Sequence, residues 1–232
     1  MSLTEEEQID QLKSFTKKYG STIISGILIA LIAFFGWQYW QKKNLIKAQT
    51  QTAKVQNLMD EAKAMADQPK ALAKLSETAD QIVKDDADSV QAIQAQFVLA
   101  KLAYDQQDYA AAERALQKVE NSKVKDAGLV QIVRLRLADA QLAQKKYDAA
   151  LKTLSGVVEP TFKASVDELR GDIFVAKNDI PAASKAYQSA WDHLLEHKQE
   201  RQLLQIKLES VGILVDDPEI EQPIVNINVD ES

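Results

Sequence analysis

The stretch IVRLRLADAQLAQKKYDAALKTLSGV, residues 132–157, decides how this chain folds. A helix-length run leads into a polar turn, and a shorter Ala-rich helix follows it. The same succession occurs upstream in residues 94–119, QAQFVLAKLAYDQQDYAAAERALQKV, and downstream in residues 165–190, SVDELRGDIFVAKNDIPAASKAYQSA. The segments align without internal gaps. Tyr109, Tyr147 and Ile180 share one column; Ala112, Ala150 and Ala183 lie three residues later, and Leu116, Leu154 and Tyr187 four beyond those. Upstream, Ala100, Ala138 and Gly171 supply a small residue where two helices can cross closely. One helix pair cannot bury its own apolar stripe, so recurring pairs predict a stack in which neighbours cover one another.

The pattern resembles the tetratricopeptide repeat, whose unit carries a small residue on its first helix and aromatic-x-x-Ala on its second. The spacing here is 38 and then 33 residues, and the family's terminal Pro is missing. The resemblance implies a concave groove lined by the first helix of each unit. Phe97, Lys101, Tyr104, Leu135, Asp139, Leu142 and Asp172 would face it, with Phe97 and Tyr104 as apolar anchors for a partner. Outside the repeats, residues 45–67 read as a helix, and Pro69 opens an amphipathic stretch with Leu72, Leu75, Ala79, Ile82 and Val83 on one face. Residues 203–215 read as a capping helix. With seven Gly and five Pro in 232 residues, long helices joined by short turns are the economical reading, and the fold expected is all-α.

Residues 19–41 carry no charged side chain and are bracketed by Lys17-Lys18 and Lys42-Lys43. A helix needs ~20 apolar residues to cross a hydrocarbon core, so this stretch is expected to be a single transmembrane helix. Trp37, Tyr39 and Trp40 stand where an interfacial aromatic belt belongs, in the place where a cleaved signal peptide would have small residues. Thr22, Gly26 and Ala30 recur every four residues, a stripe along which another membrane helix can approach. Lys13, Lys17 and Lys18 before the span balance Lys42, Lys43 and Lys47 after it, so charge does not orient it. Residues 1–18 form a short N-terminal tail. Thr4 and Glu7 fit a capping box there, and Ile9, Leu12, Phe15 and Tyr19 follow at helical spacing.

The net charge is −6, and the last 17 residues alone hold Asp216, Asp217, Glu219, Glu221, Asp230 and Glu231 with no Lys or Arg. The rest of the chain is near neutral, and without a basic patch nucleic-acid binding is disfavoured. The acidic tail, residues 216–232, is expected to be disordered. Cysteine is absent, which removes disulfides, a thiol nucleophile and a lipidated cysteine.

Sequence motifs for catalysis are few. His193-Leu194-Leu195-Glu196-His197 matches H-x-x-E-H, the zinc motif of one peptidase class. Such enzymes need a further ligand well downstream in a large domain, and a solvated amphipathic helix with Leu194 and Leu195 inward accounts for the spacing as well. Arg170-Gly171-Asp172 falls mid-helix and is discounted as an adhesion signal. Asp85, Asp86 and Asp88 read as a charge cap on the following helix rather than a calcium site. Phosphate-cradling glycine motifs and a serine elbow are missing. The expectation is a non-enzyme with no cofactor and no metal.

Residues 7–20 (EQIDQLKSFTKKYG), the span ending Gly36-Trp37-Gln38-Tyr39-Trp40, and repeats containing Leu135-Arg136-Leu137-Ala138 and Leu169-Arg170-Gly171-Asp172 together resemble the YfgM family. Its members are ancillary subunits of the bacterial SecYEG translocon. The resemblance covers residues 5 to about 215 and implies a single-pass inner-membrane protein with a cytoplasmic N-terminus. The repeat domain, residues 42–215, would then lie in the periplasm. It also implies a non-catalytic adaptor that associates with the translocon and with PpiD, a membrane-anchored periplasmic chaperone, and that meets exported client proteins. A membrane-tethered scaffold or regulator in envelope biogenesis or signalling is the alternative. Asn178 stands in a turn where the family usually has Gly, which Asn accommodates because it tolerates the left-handed conformation.

Overall fold

Leu, Ala and Gln runs broken only by short polar turns produce helices almost end to end. A computed structural model describes residues 5–65, 68, 71–199 and 202–215, with side chains at Lys17 and from Ser25 onward. Among these, the helices are α1 (Glu5–Ala64), α2 (Ala71–Asp85), α3 (Val90–Asp105), α4 (Tyr109–Gln117), α5 (Ala127–Ala143), α6 (Tyr147–Ser155), α7 (Lys163–Ala176), α8 (Ile180–Glu196) and α9 (Gln202–Ser210). A 3-10 turn, Pro160–Phe162, precedes α7. The described residues contain no strand. The chain divides into two compact units between Ala53 and Lys54.

The first unit is the N-terminal part of α1. From Ile27 to Trp40 its large apolar side chains are exposed on every face, Ile29 at 68% and Tyr39 at 72% among them. Among the described residues no helix is long and apolar enough to cross a membrane. The side chains of residues 19–24 of the expected span lie outside the described residues, as do Thr4 of the capping box and the acidic tail 216–232. Of the small-residue stripe, Thr22 lies outside as well. Ala30 is exposed, and a Cβ added at Gly26 would meet nothing within 4 Å.

The second unit contains the repeats. In it α3 packs on α4, α5 on α6, and α7 on α8, while α3 meets α5 and α5 meets α7 along the row of first helices. The recurring columns are its core. Ala112, Ala150 and Ala183 are buried, and so are Leu116, Leu154 and Tyr187. The last turns of α1 contribute Val55 and Leu58 to an apolar cluster with Leu75 and Ile82 of α2 and Ile93 and Leu99 of α3. At the far end Leu204 and Leu208 of α9 close over Trp191 and Ala190. The helix α2 sits where the apolar pattern placed it; α9 occupies the expected capping position but ends at Ser210, short of the expected 215.

One turn geometry builds each pair. Gln107, Lys145 and Asn178 all adopt positive φ, between 59° and 62°. In each case the following amide, of Asp108, Lys146 or Asp179, donates to a carbonyl five residues back, of Ala103, Gln141 or Phe174. These are Schellman caps, which end one helix with a left-handed residue and satisfy its last carbonyls. Asp108 and Asp179 then cap the next helix, accepting from the amides of Ala111 and Ala182. Lys146 forgoes that cap. Its ammonium instead reaches 2.6 Å from Glu113 of the preceding unit. The cap of α3 is Ser89, not the acids before it: Asp88 accepts from the Lys123 amide and Asp85 pairs with Lys54.

Polar staples join neighbouring helices. The buried Glu113 of α4 accepts from Gln141, Gln144 and Lys146, and Thr153 of α6 donates to Gln141. Asp167 of α7 accepts from Lys163, Arg170 and Ser189 of α8. Lys207 of α9 ties both Glu168 and Asp172, at 2.6 and 2.9 Å. A buried carboxylate with several donors is far less costly than one left alone.

Gly171 marks the tightest crossing. A Cβ there would lie 2.2 Å from the ring of Tyr187, which is buried and donates its hydroxyl to Asp172. Replacing a helical Gly with Ala ordinarily stabilises by roughly 1 kcal/mol, whereas overpacking a fixed core costs about 1–3 kcal/mol. The pinned ring makes the second effect larger. Gly171→Ala is therefore expected to lower the urea midpoint of the repeat unit, and an unchanged or raised midpoint would show that the ring moves freely.

Candidate functional site

The inner faces of α3 and α5, with two residues of α4, enclose a groove of about 530 Å³. Its floor is apolar: Phe97 and Ala100 of α3, Ala112 and Leu116 of α4, and Ile132 and Ala140 of α5. Its rim is charged, with Lys101 and Asp105 of α3 paired at 2.7 Å and Arg136 of α5 opposite. Tyr104 stands between floor and rim. Its ring packs edge-on against Tyr109 at 4.9 Å, and more than a third of its surface remains exposed. Such edge-to-face packing fixes the ring while leaving one face open for another apolar group.

Four of the residues expected to face a groove come together here, namely Phe97, Lys101, Tyr104 and Asp139. The other three are placed differently. Leu135 and Leu142 pack against the apolar cluster of Ala138, Ala150 and Leu154. That cluster joins α5 to α6 and α7. Asp172 is held by Tyr187 and Lys207 in the staple that joins α7, α8 and α9. Sequence reading missed Ile132 and Arg136 of α5 as groove residues, along with Ala100, Asp105, Ala112, Leu116 and Ala140. Ile132 and Arg136 lie on the face of α5 that carries Asp139, seven and three residues before it, so helical spacing from Asp139 was the available signal.

Asp139 is the groove's least comfortable charge. Burial pushes its carboxyl up, Arg136 and a hydrogen bond from Tyr104 pull it down, Asp172 adds repulsion, and the net direction is upward. Tyr104 is raised as well, by burial first and then by the nearby Asp139. Glu113 behaves in the opposite way. Burial raises it, but hydrogen bonds from Lys146, Gln144 and Gln141 outweigh that and hold it below the usual range. The groove therefore carries an under-compensated acid above an apolar floor, beside an interface whose acid is fully satisfied. An apolar floor with a charged rim is the usual composition of a recognition surface.

Stacked helix pairs with an inner groove define a tetratricopeptide-like repeat protein. The family described as a tetratricopeptide repeat-like domain matches residues 13–213. Among curated relatives, the ancillary SecYEG translocon subunit of Neisseria gonorrhoeae is 30% identical, over 90% of this chain and 98% of the relative. The protein of the same description from Haemophilus influenzae is 31% identical with the same coverage, and that of Escherichia coli is 26% identical over 80% of this chain and 86% of the relative. The chain belongs to this family of ancillary SecYEG translocon subunits. No solved structure matches it.

The two carboxylates have opposite pH signatures. Asp139 holds its proton more tightly in the folded chain, so its ionisation costs stability as pH rises from the ordinary 3.8 through its raised native value. Asp139→Asn is expected to raise the melting temperature at pH 7, with the gain fading as pH falls below that ordinary value. Glu113, with a lowered native value, contributes stability that is fully present above 4.5 and lost as pH falls through its native value. Glu113→Gln is thus expected to melt earlier at pH 7, with a deficit that closes in acid. Differential scanning calorimetry of both variants across this range checks the signs.

Proposed function

We propose that this protein is a non-catalytic, membrane-anchored adaptor of the bacterial protein-export machinery. In this reading residues 19–41 cross the inner membrane once, the N-terminal tail of residues 1–18 is cytoplasmic, and the repeat domain is periplasmic. The adaptor associates with the SecYEG translocon and, through its groove, with the periplasmic membrane-anchored chaperone PpiD, and exported clients pass within its reach.

The observation that carries the reading is the near-complete coverage of relatives named as ancillary SecYEG translocon subunits. The exposed apolar surface from Ile27 to Trp40 supports the anchor. A helix with Ile, Leu, Phe and Trp uncovered all round has no reason to persist in water and is stable in lipid. Ala30 is exposed and a Cβ at Gly26 would meet nothing within 4 Å among the described residues, which suits a stripe open to a membrane helix of a partner. The groove supports the partner role: Phe97 and Tyr104 offer apolar seats, and Lys101, Asp139 and Arg136 offer charges that orient a ligand.

Topology is tested by fusing alkaline phosphatase after residue 215. The enzyme is expected to be active, as it is only in an oxidising periplasm; an inactive fusion paired with a fluorescent cytoplasmic counterpart would sink the translocon-chaperone reading. The groove is tested by a photo-crosslinking amino acid at Phe97 or Tyr104 in cells. A chaperone adduct is expected from these sites and not from Lys152 on α6, outside the groove. Adducts from Lys152 alone would relocate the interface.

A further inference from the structure

Both histidines of the chain lie in one turn of one helix. His193 is in the last turn of α8 and His197 is its C-cap, with Glu196 between them in sequence. The structure brings their ligating atoms together, all within 4.8 Å of one another. The two imidazole rings lie 4.3 Å apart, tilted by 37°. Leu194 packs into the apolar cluster with Trp191, so the turn is anchored on its inner side while Glu196 and His197 stay exposed.

The tautomer of one ring is set by geometry. Nδ1 of His197 lies 2.8 Å from the carbonyl oxygen of His193, and a carbonyl can only accept. Nδ1 therefore carries the hydrogen, and Nε2 is left as the lone-pair donor. A backbone carbonyl holding one ring nitrogen so that the other can bind an ion is the usual outer-shell arrangement of metal-ligating histidine. The site also sits at the negative end of the α8 dipole, where a cation is favoured.

We propose that His193, Glu196 and His197 form a surface binding site for a borderline divalent cation of the zinc, nickel or copper class. Two imidazole nitrogens and one carboxylate match that class rather than magnesium or calcium, which prefer all-oxygen sets. Bonds of ~2.0 Å to a tetrahedral ion bring ligands closer than 4.8 Å. The carbonyl of His193 keeps hold of the His197 ring, and rotation of the His193 and Glu196 side chains would close the remaining distance. Water fills the remaining position. The ion would brace the last turn of α8 against the left-handed Lys198 that follows it. No hydrolytic step is assigned to it, because the groove and its acids lie on α3 and α5.

The test uses the full chain, chelator-stripped and purified without a polyhistidine tag, with Zn²⁺ titrated calorimetrically. A one-site isotherm that persists in excess Mg²⁺ is expected. It should be lost in His193→Ala and in His197→Ala, and weakened in Glu196→Gln, with metal-free melting unchanged in all three. Imidazole NMR resonances of both histidines should shift together on Zn²⁺ addition to the unmodified chain, a readout independent of the variants. Absence of saturable binding overturns the proposal. Binding that survives in the double histidine variant, or that Mg²⁺ displaces, does so too, since either places the ion on other carboxylates.

Discussion

The left-handed residue that ends each first helix is the constraint on which the repeat unit rests. At Gln107, Lys145 and Asn178 the chain leaves one helix and enters the next within three residues. The Schellman hydrogen bonds absorb the carbonyls that such an abrupt stop would otherwise leave unpaired. Because the reversal is so short, the end of the first helix and the start of the second lie side by side. Nine positions upstream of the second helix in the third pair, Gly171 then lies directly against Tyr187. None of the turn residues is glycine, so each carries some backbone strain, least at Asn178, whose side chain tolerates the conformation best. The packing on either side of each turn holds that strain in place.

Between units the chain uses charge and amide groups as much as apolar contact. Glu113 takes donors from α5 and from Lys146, and Lys207 of α9 pairs with two acids of α7. Asp167 joins α7 to α8 within one pair, through Ser189. Directional bonds of this kind set the rotation of one helix pair on the next, which Ala-rich surfaces alone would leave loosely defined. Lys146 shows the preference directly, since it gives up the local cap that Asp108 and Asp179 provide in order to reach across to Glu113. Asp139 lacks such an environment. Its raised carboxyl and the partly open Tyr104 beside it leave unused interaction capacity in the groove. The groove and the interface beside it thus differ in how completely their acids are satisfied.

Much of the fold was legible because its signals are local. The aromatic-x-x-Ala columns located α4, α6 and α8, with Tyr109, Tyr147 and Ile180 each at the first helical position. Apolar spacing after Pro69 located α2: of the expected face Leu75, Ala79 and Ile82 are buried and Leu72 and Val83 partly so, while Ala71, not expected there, is buried as well. The groove was legible only in part. Leu135 and Leu142 share α5 with Asp139, but an inner helix contacts α3, α4, α6 and α7, so most of its circumference is covered. Helical periodicity says that a residue is covered without saying by which neighbour. Asp172 was similarly assigned to open groove, although Lys207, 35 residues away in sequence, takes its carboxylate.

By itself the sequence determined the all-helical class, the repeating pair, the family and the uncharged stretch near the N-terminus. All of these depend on residue type and spacing along a few turns. Tertiary structure alone decided which acids are stapled and which face the groove. It also decided that Gly171 is needed for the Tyr187 ring and that two histidines and a glutamate converge at the end of α8. Those outcomes depend on side-chain direction and on contacts between distant segments, and the energies that select them arise only when helices pack.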